Sequence, residues 1–225
     1  MDVGVVTVGD ELLAGETENT NASWLARELA ARGVTVERIV VVPDEEDAIA
    51  STVQDLQADY DAVIVTGGVG PTHDDVTMDA VAAAFDREME EHPDAVAWFE
   101  TETEYAREDL VEGTSHLPSG ARMIPNPEGV APGVVVENVY VLPGVPVEMK
   151  GMFAEVASEF SGTMLASAVV HSERPESSMV DLLREVTERF TVRVGSYPNE
   201  TVRIKVQGED PEEVEAAAEW LKERV

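Results

Sequence analysis

The first 85 residues repeat one pattern three times, a short apolar, β-branched run followed by an amphipathic helical segment, and little else is compatible with that rhythm. Residues 3–8 are apolar apart from Gly4 and Thr7, as expected of a central parallel strand covered on both faces. The segment GDELLAG, residues 9–15, leaves that strand as a loop. Asn19, Thr20 and Asn21 then offer N-cap side chains for a helix to about Arg32, with Trp24, Leu25 and Leu29 on one face and Gly33 as a left-handed stop. Residues 35–42 form the second β-branched run, and Pro43 and Asp44 turn it into a helix over about 46–57 with Ile49, Val53 and Leu56 inward. Residues 62–66 are the third run, followed by a helix through Phe85 that buries Met78, Val81 and Ala82. Three consecutive βα units predict an α/β fold, a doubly wound, mostly parallel sheet with right-handed crossovers.

The third turn, TGGVGPTHDDVTMDA (residues 66–80), carries the most chemistry. Gly67, Gly68 and Gly70 let the backbone turn tightly and expose its N–H groups, and a helix starting near Asp75 would add its positive dipole end, so the turn suits a phosphate. Asp74 and Asp75 would repel that phosphate unless a divalent cation bridged them, and hard cations such as Mg²⁺ take such oxygen ligands. The plainer alternative is a strand-to-helix turn in which the aspartates cap the helix. No Gly-Lys-Ser/Thr follows, and His73 stands where a dinucleotide fingerprint needs its third glycine, so both common nucleotide motifs are excluded.

After this point the rhythm changes. Residues 93–107 read as a lid or side helix whose apolar Val96, Trp98 and Phe99 lie among many acids, 108–120 as a loop, and 122–124 as a short strand. The segment PNPEGVAPG, residues 125–133, is a rigid turn; residues 134–136 and 139–142 form a hairpin around Glu137 and Asn138; and a helix spans about 147–160. From 161 onward, strands at 164–171, 192–195 and 202–207, helices at 175–190 and 211–224, and an unusual loop at 195–199 predict a small α+β appendage. The expected division is 1–160 and 161–225.

Ligands of open parallel sheets bind beyond the carboxyl ends of the strands. Three loops project there: Gly9, Asp10 and Glu11; residues 67–75; and Pro143 with Gly144. Asp10 and Glu11 could join Asp74 and Asp75 around a metal or orient a substrate hydroxyl, or they could be hydrated loop residues. Asn19 and Asn21 read as caps rather than ligands.

Zero cysteines exclude disulfides, thiolate metal sites and cysteine nucleophiles. No apolar run reaches 18 residues and no leader pattern opens the chain, which predicts a cytoplasmic protein with no membrane partner. With 46 acids against 15 bases the net charge is −31, spread over helix surfaces, a pattern that predicts adaptation to high salt. Nucleic-acid binding is disfavoured, because no cluster of Lys and Arg is visible along the chain. His73, His92, His116 and His171 are too scattered to form a histidine metal site.

The segments GDELLAGETENTN, TGGVGPTHDDVT, PNPEGVAPG and LPGVPVEM, in this order, resemble the molybdopterin-binding (MoCF biosynthesis, MoaB/Mog-like) fold, and most closely the N-terminal domain of the competence/damage-inducible protein A (CinA) family. Ser196, Tyr197 and Pro198 resemble the family's small second domain. The resemblance implies a domain that binds a phosphorylated pterin, molybdopterin, or a nucleotide with Mg²⁺ or another cation, K⁺ included. Family relatives adenylylate molybdopterin, whereas CinA-type domains are associated with hydrolysis of ADP-ribose and similar pyrophosphates. It assigns Asp74, Asp75 and Glu11 as candidate catalytic residues, the two aspartates also as metal ligands, and Asp10, Gly67, Gly68, Gly70, Thr77, Asn126, Gly133, Pro143 and Gly144 as ligand-binding. Many CinA proteins continue into a nicotinamide-nucleotide amidase domain, an activity not expected of these 225 residues. Pyrophosphatase and non-catalytic binding protein both remain open, and a homo-oligomer is expected from the family and the apolar residues of the 93–107 helix.

Overall fold

The computed structural model describes residues 1–70, 75–102 and 113–225. It divides into two compact units, Met1–Gly162 and Thr163–Val225.

In the first unit, β1 (Asp2–Val8) leads into a four-residue helix, α1 (Asp10–Leu13), and then α2 (Thr20–Ala30). β2 (Thr35–Val42), α3 (Glu46–Asp59), β3 (Ala62–Thr66) and α4 (Thr77–Ala84) complete the three βα units. There follow β4 (Met89–Glu91), α5 (Pro93–Glu102), β5 (His116–Pro118), β6 (Arg122–Ile124), β7 (Gly133–Val136), β8 (Val139–Leu142) and α6 (Pro146–Val156).

The main sheet has the order β2-β1-β3-β8-β7-β6. Its first three pairings are parallel and its last two antiparallel. Alternation along β1 and β3 decides which residue feeds which core. Val3, Val5, Ala62 and Ile64 pack with Leu25 and Leu29 of α2 and Met149, Met152 and Phe153 of α6. Val6, Val8, Val63 and Val65 pack on the other face with Ile49, Val53 and Leu56 of α3 and Val81 of α4. Both faces are covered, so the sheet is doubly wound, and the strand order reverses between β1 and β3.

Several local expectations are corrected. GDELLAG is not all loop, because residues 10–13 make one helical turn. α4 starts at Thr77, with Val76 rather than Asp75 in the cap position. The 108–120 region contains β5, which pairs with β4. α5 turns Ala95 and Phe99 into the core, with Trp98 partly buried against it; residues 103–107 of the expected helix lie outside the described residues.

In the second unit, β9 (Ala166–Ser172), α7 (Val180–Arg189), β10 (Arg193–Pro198), β11 (Val202–Gly208) and α8 (Pro211–Lys222) build an antiparallel sheet of order β10-β11-β9. Val170, Ile204 and Val206 pack under Val186 of α7 and Val214, Ala217 and Leu221 of α8. Residues 195–198, read from the sequence as a loop, are strand, paired in register with residues 202–205.

Candidate functional site

The parallel strands end together: Val8 is level with Val42, Thr7 with Thr66, and Thr66 with Leu142. The backbone continues this seam past the sheet, Gly9 N donating to Val42 O at 3.1 Å and Gly67 N to Leu142 O at 3.2 Å. Gly67 and Gly68 have φ of 108° and 61°, which a side chain would strain. A Cβ on Gly67 would collide with the Val8 carbonyl oxygen, and one on Gly68 would lie 2.5 Å from Thr77 Oγ1. The loop closes where Thr77 N donates to Gly68 O at 3.0 Å, which lays the first turn of α4 against the end of β3.

Side chains tie the three loops into one rim. Thr66 Oγ1 donates to Pro143 O at 2.9 Å, and Asn21 Nδ2 donates to Gly144 O at 2.7 Å and approaches Thr66 Oγ1 at 3.3 Å. Asn19 caps α2 through Ala22 N and also donates to Thr7 Oγ1 at 2.9 Å. Asp10 N donates to Asp44 Oδ2 at 2.8 Å, and the other Asp44 oxygen lies 3.5 Å from the position of a Gly68 Cβ. Asn19 does cap, as its place before a helix implied. Asn21 does not, because its amide spans from α2 to the β8 loop, and that reach is invisible to local spacing. Thr7, Asp44 and Thr66 were not among the expected site residues: Thr7 reads as a strand residue, Asp44 as a turn residue and Thr66 as the start of the glycine turn.

Two cavities flank this rim. One of about 120 Å³ is bordered by Thr7, Glu11, Asn21, Thr66 and Gly144 and sits at the β1–β3 reversal. The other, of about 210 Å³, is bordered by Gly70, Asp75, Asp79, Thr114 and His116. The structure therefore divides the predicted set: Glu11 and Gly144 line the first cavity, and Gly70 and Asp75 the second. Asp74 and His73 lie outside the described residues. Asp10 is exposed beside the first cavity's rim, Gly67 and Gly68 form the ridge closed by Thr77, and Pro143 is a backbone acceptor.

Asn126 and Gly133 have internal work. Buried Asn126 donates to Ala131 O at 2.9 Å and Glu148 Oε2 at 2.7 Å and accepts from Glu128 N at 3.3 Å, so it folds its own turn onto α6. Gly133 sits inside the sheet where a Cβ would strike Val141 O and come within 2.5 Å of Met152 Cε. Neither borders either cavity.

Two buried polar atoms at the rim have no hydrogen-bond partner among the described residues, Asn21 Oδ1 and Thr77 Oγ1. Leaving such atoms unmade costs about 1–3 kcal/mol each, and native proteins seldom tolerate that away from water or ligand. Among the described residues no three His, Asp or Glu side chains are gathered closely enough to hold a metal ion. Mg²⁺ commonly uses one or two carboxylates with substrate phosphates, so this all-oxygen donor set suits a cation arriving with its ligand rather than a prebuilt cage.

The glycine ridge and the partnerless polar atoms sit at the switch point of a doubly wound α/β domain, the edge at which ligands of such sheets bind. Residues 4–162 match the family described as probable molybdopterin binding domain, and the chain belongs to that family. Residues 164–225 match the FAD synthase middle domain family. A protein of Archaeoglobus fulgidus is 36% identical over 99% of this chain and 97% of its own length. The crystal structure of CinA, with unknown function, from Thermoplasma acidophilum is 34% identical, with a TM-score of 0.65 over 71% of this chain and 97% of that one. A CinA-like protein of Citrifermentans bemidjiense is 44% identical over 72% of this chain, which spans 41% of that relative's length. The chain is thus a CinA-like member of the probable molybdopterin binding domain family. Among the described residues no helix is long and apolar enough to cross a membrane.

Proposed function

We propose that the rim between β1, β3 and β8 binds a phosphorylated nucleotide and that the protein hydrolyses the pyrophosphate of ADP-ribose-type substrates with a divalent cation. The observation that supports this reading best is the pair of partnerless buried atoms, Asn21 Oδ1 and Thr77 Oγ1, set at the glycine ridge where three strand-end loops meet. Asn21 Oδ1 offers an acceptor to a ribose hydroxyl, and the Thr77 hydroxyl a donor to a phosphate oxygen. Glu11 borders the same cavity as Asn21 and would take the proton from water. Water adds to one phosphorus, the bridging P–O bond breaks, AMP and ribose 5-phosphate leave, and the carboxylate holds the released proton. Asp74 and Asp75 would hold the cation, which when bound would act as a Lewis acid on the phosphoryl oxygens. Molybdopterin is the competing ligand. Binding without turnover is the alternative reading.

Incubation of the protein with ADP-ribose and Mg²⁺ in high KCl should release AMP, and a chelator should stop it. Saturable ADP-ribose or molybdopterin binding without AMP would select the non-catalytic reading. Absence of both would reject the site.

A further inference from the structure

The second unit carries a surface at odds with the rest of the chain. One face of its sheet is covered by α7 and α8, and the other points outward. The pairing register arranges that outer face in three rows: Tyr197, Arg203 and His171; Gly195, Lys205 and Val169; Arg193, Gln207 and Ser167. Every charged residue in the rows is a base, although acids outnumber bases three to one over the whole chain. None of Arg193, Arg203 and Lys205 forms an ion pair with a described residue, whereas Arg184, Lys222 and Arg224 in the same unit each do. Tyr197 is 47% exposed, and the Arg203 guanidinium lies 4.7 Å from its ring centroid, making a flat aromatic and cationic platform. Val169, 43% exposed, continues it.

We propose that this open sheet face binds single-stranded nucleic acid. Charge complementarity selects a polyanion, and the half-exposed Tyr197–Arg203 platform selects one with flat bases, since bases stack on aromatic rings and guanidinium planes. Arg203 and Lys205 are two strand residues apart, about 7 Å at ~3.4 Å per residue, so they can meet separate phosphates of an extended strand. The acidic composition that argued against nucleic acid is an average over the chain, whereas this face is a local exception held by register. Acidic protein partners would satisfy the charges but leave the platform without a role.

The test is fluorescence anisotropy of a labelled twelve-nucleotide RNA of mixed sequence with the full chain over a KCl series. Saturable binding is expected, with log affinity falling against log salt at a slope near −2 for three phosphate contacts at ~0.7 each. Arg203→Gln with Lys205→Gln should weaken binding tenfold or more and flatten the slope, and Tyr197→Ala should weaken it fivefold or more. The charge-matched pair Arg27→Gln with Arg38→Gln, exposed in the first unit, should leave it unchanged; melting curves verify that each variant is folded. No saturable binding, equal loss in the control pair, or competition by polyglutamate as effective as by RNA would overturn the proposal, the last in favour of an acidic protein partner.

Discussion

Gly68 and Thr77 test whether the ridge is built as described. Gly68→Ala places a Cβ at φ 61° and 2.5 Å from Thr77 Oγ1. Left-handed backbone alone costs about 1–2 kcal/mol, and the clash adds to it. Urea denaturation should show a loss of about 2–3 kcal/mol, part of it recovered when Thr77→Ala is combined, with a coupling above about 0.5 kcal/mol. Thr77→Val makes the complementary case. It deletes a buried hydroxyl without a described partner, so stability should hold or rise while ADP-ribose affinity falls severalfold. Unchanged affinity, measured by calorimetry, would remove Thr77 from the site. These glycines were legible because tight turns restrict residue type. Asn21 was misread for the opposite reason: amides cap helices and also bridge loops, and only the fold reveals an acceptor 123 residues away.

At the scale of elements, long runs were legible and short ones were not. β1, β2, β3 and their helices announce themselves by apolar periodicity, whereas β4 and β5, three residues each, are defined by pairing with one another. The α4 start slipped because Asp74 and Asp75 look like caps, yet Val76 holds that position. Asp75→Asn therefore tests the cation reading: asparagine keeps the size and hydrogen-bonding shape but removes the charge, so Mg²⁺-dependent AMP release should fall tenfold or more while melting curves verify the fold. Retained activity would shift the chemistry toward Glu11. β8 supplies an independent pH test. Tyr140 is buried there and donates to Glu159 Oε2 at 2.9 Å, and burial first, then that bond and the Glu159 charge, push its pKa up to about 12. A pKa raised above the unfolded value of 10 means that the stabilisation is complete below pH 10 and is lost as pH rises towards 12. Tyr140→Phe should lower stability at pH 8 by about 1–2 kcal/mol. It should also lose less than the parent between pH 10 and 12, and parallel curves would refute the linkage.

For the whole molecule, charge decides the conditions under which any of this operates. Residues 1–162 hold 33 acids and 7 bases, and residues 163–225 hold 13 and 8, together the chain's 46 and 15. The outward basic rows of the second sheet could not be read from the sequence, because it shows how many bases there are and not which face they share. Salt acts on two opposing terms. It weakens ion pairs such as Arg122 with Glu159 at 2.8 Å, but both partners are more than a third exposed, and pairs of that kind contribute about 0–1 kcal/mol. It also screens the mutual repulsion of acids spread over the surface, and the Debye length shrinks from about 10 Å at 0.1 M to about 3 Å at 1 M. With 31 uncompensated negative charges the repulsive term outweighs a few exposed pairs, so the sign is settled by number. Melting temperature should therefore climb steadily from 0.1 M to 2 M KCl. NaCl of equal ionic strength should give nearly the same rise, because screening does not depend on the cation's identity. A flat or falling midpoint would show that the acidic surface is not what limits stability, and a rise confined to K⁺ would indicate a specific cation site instead of screening.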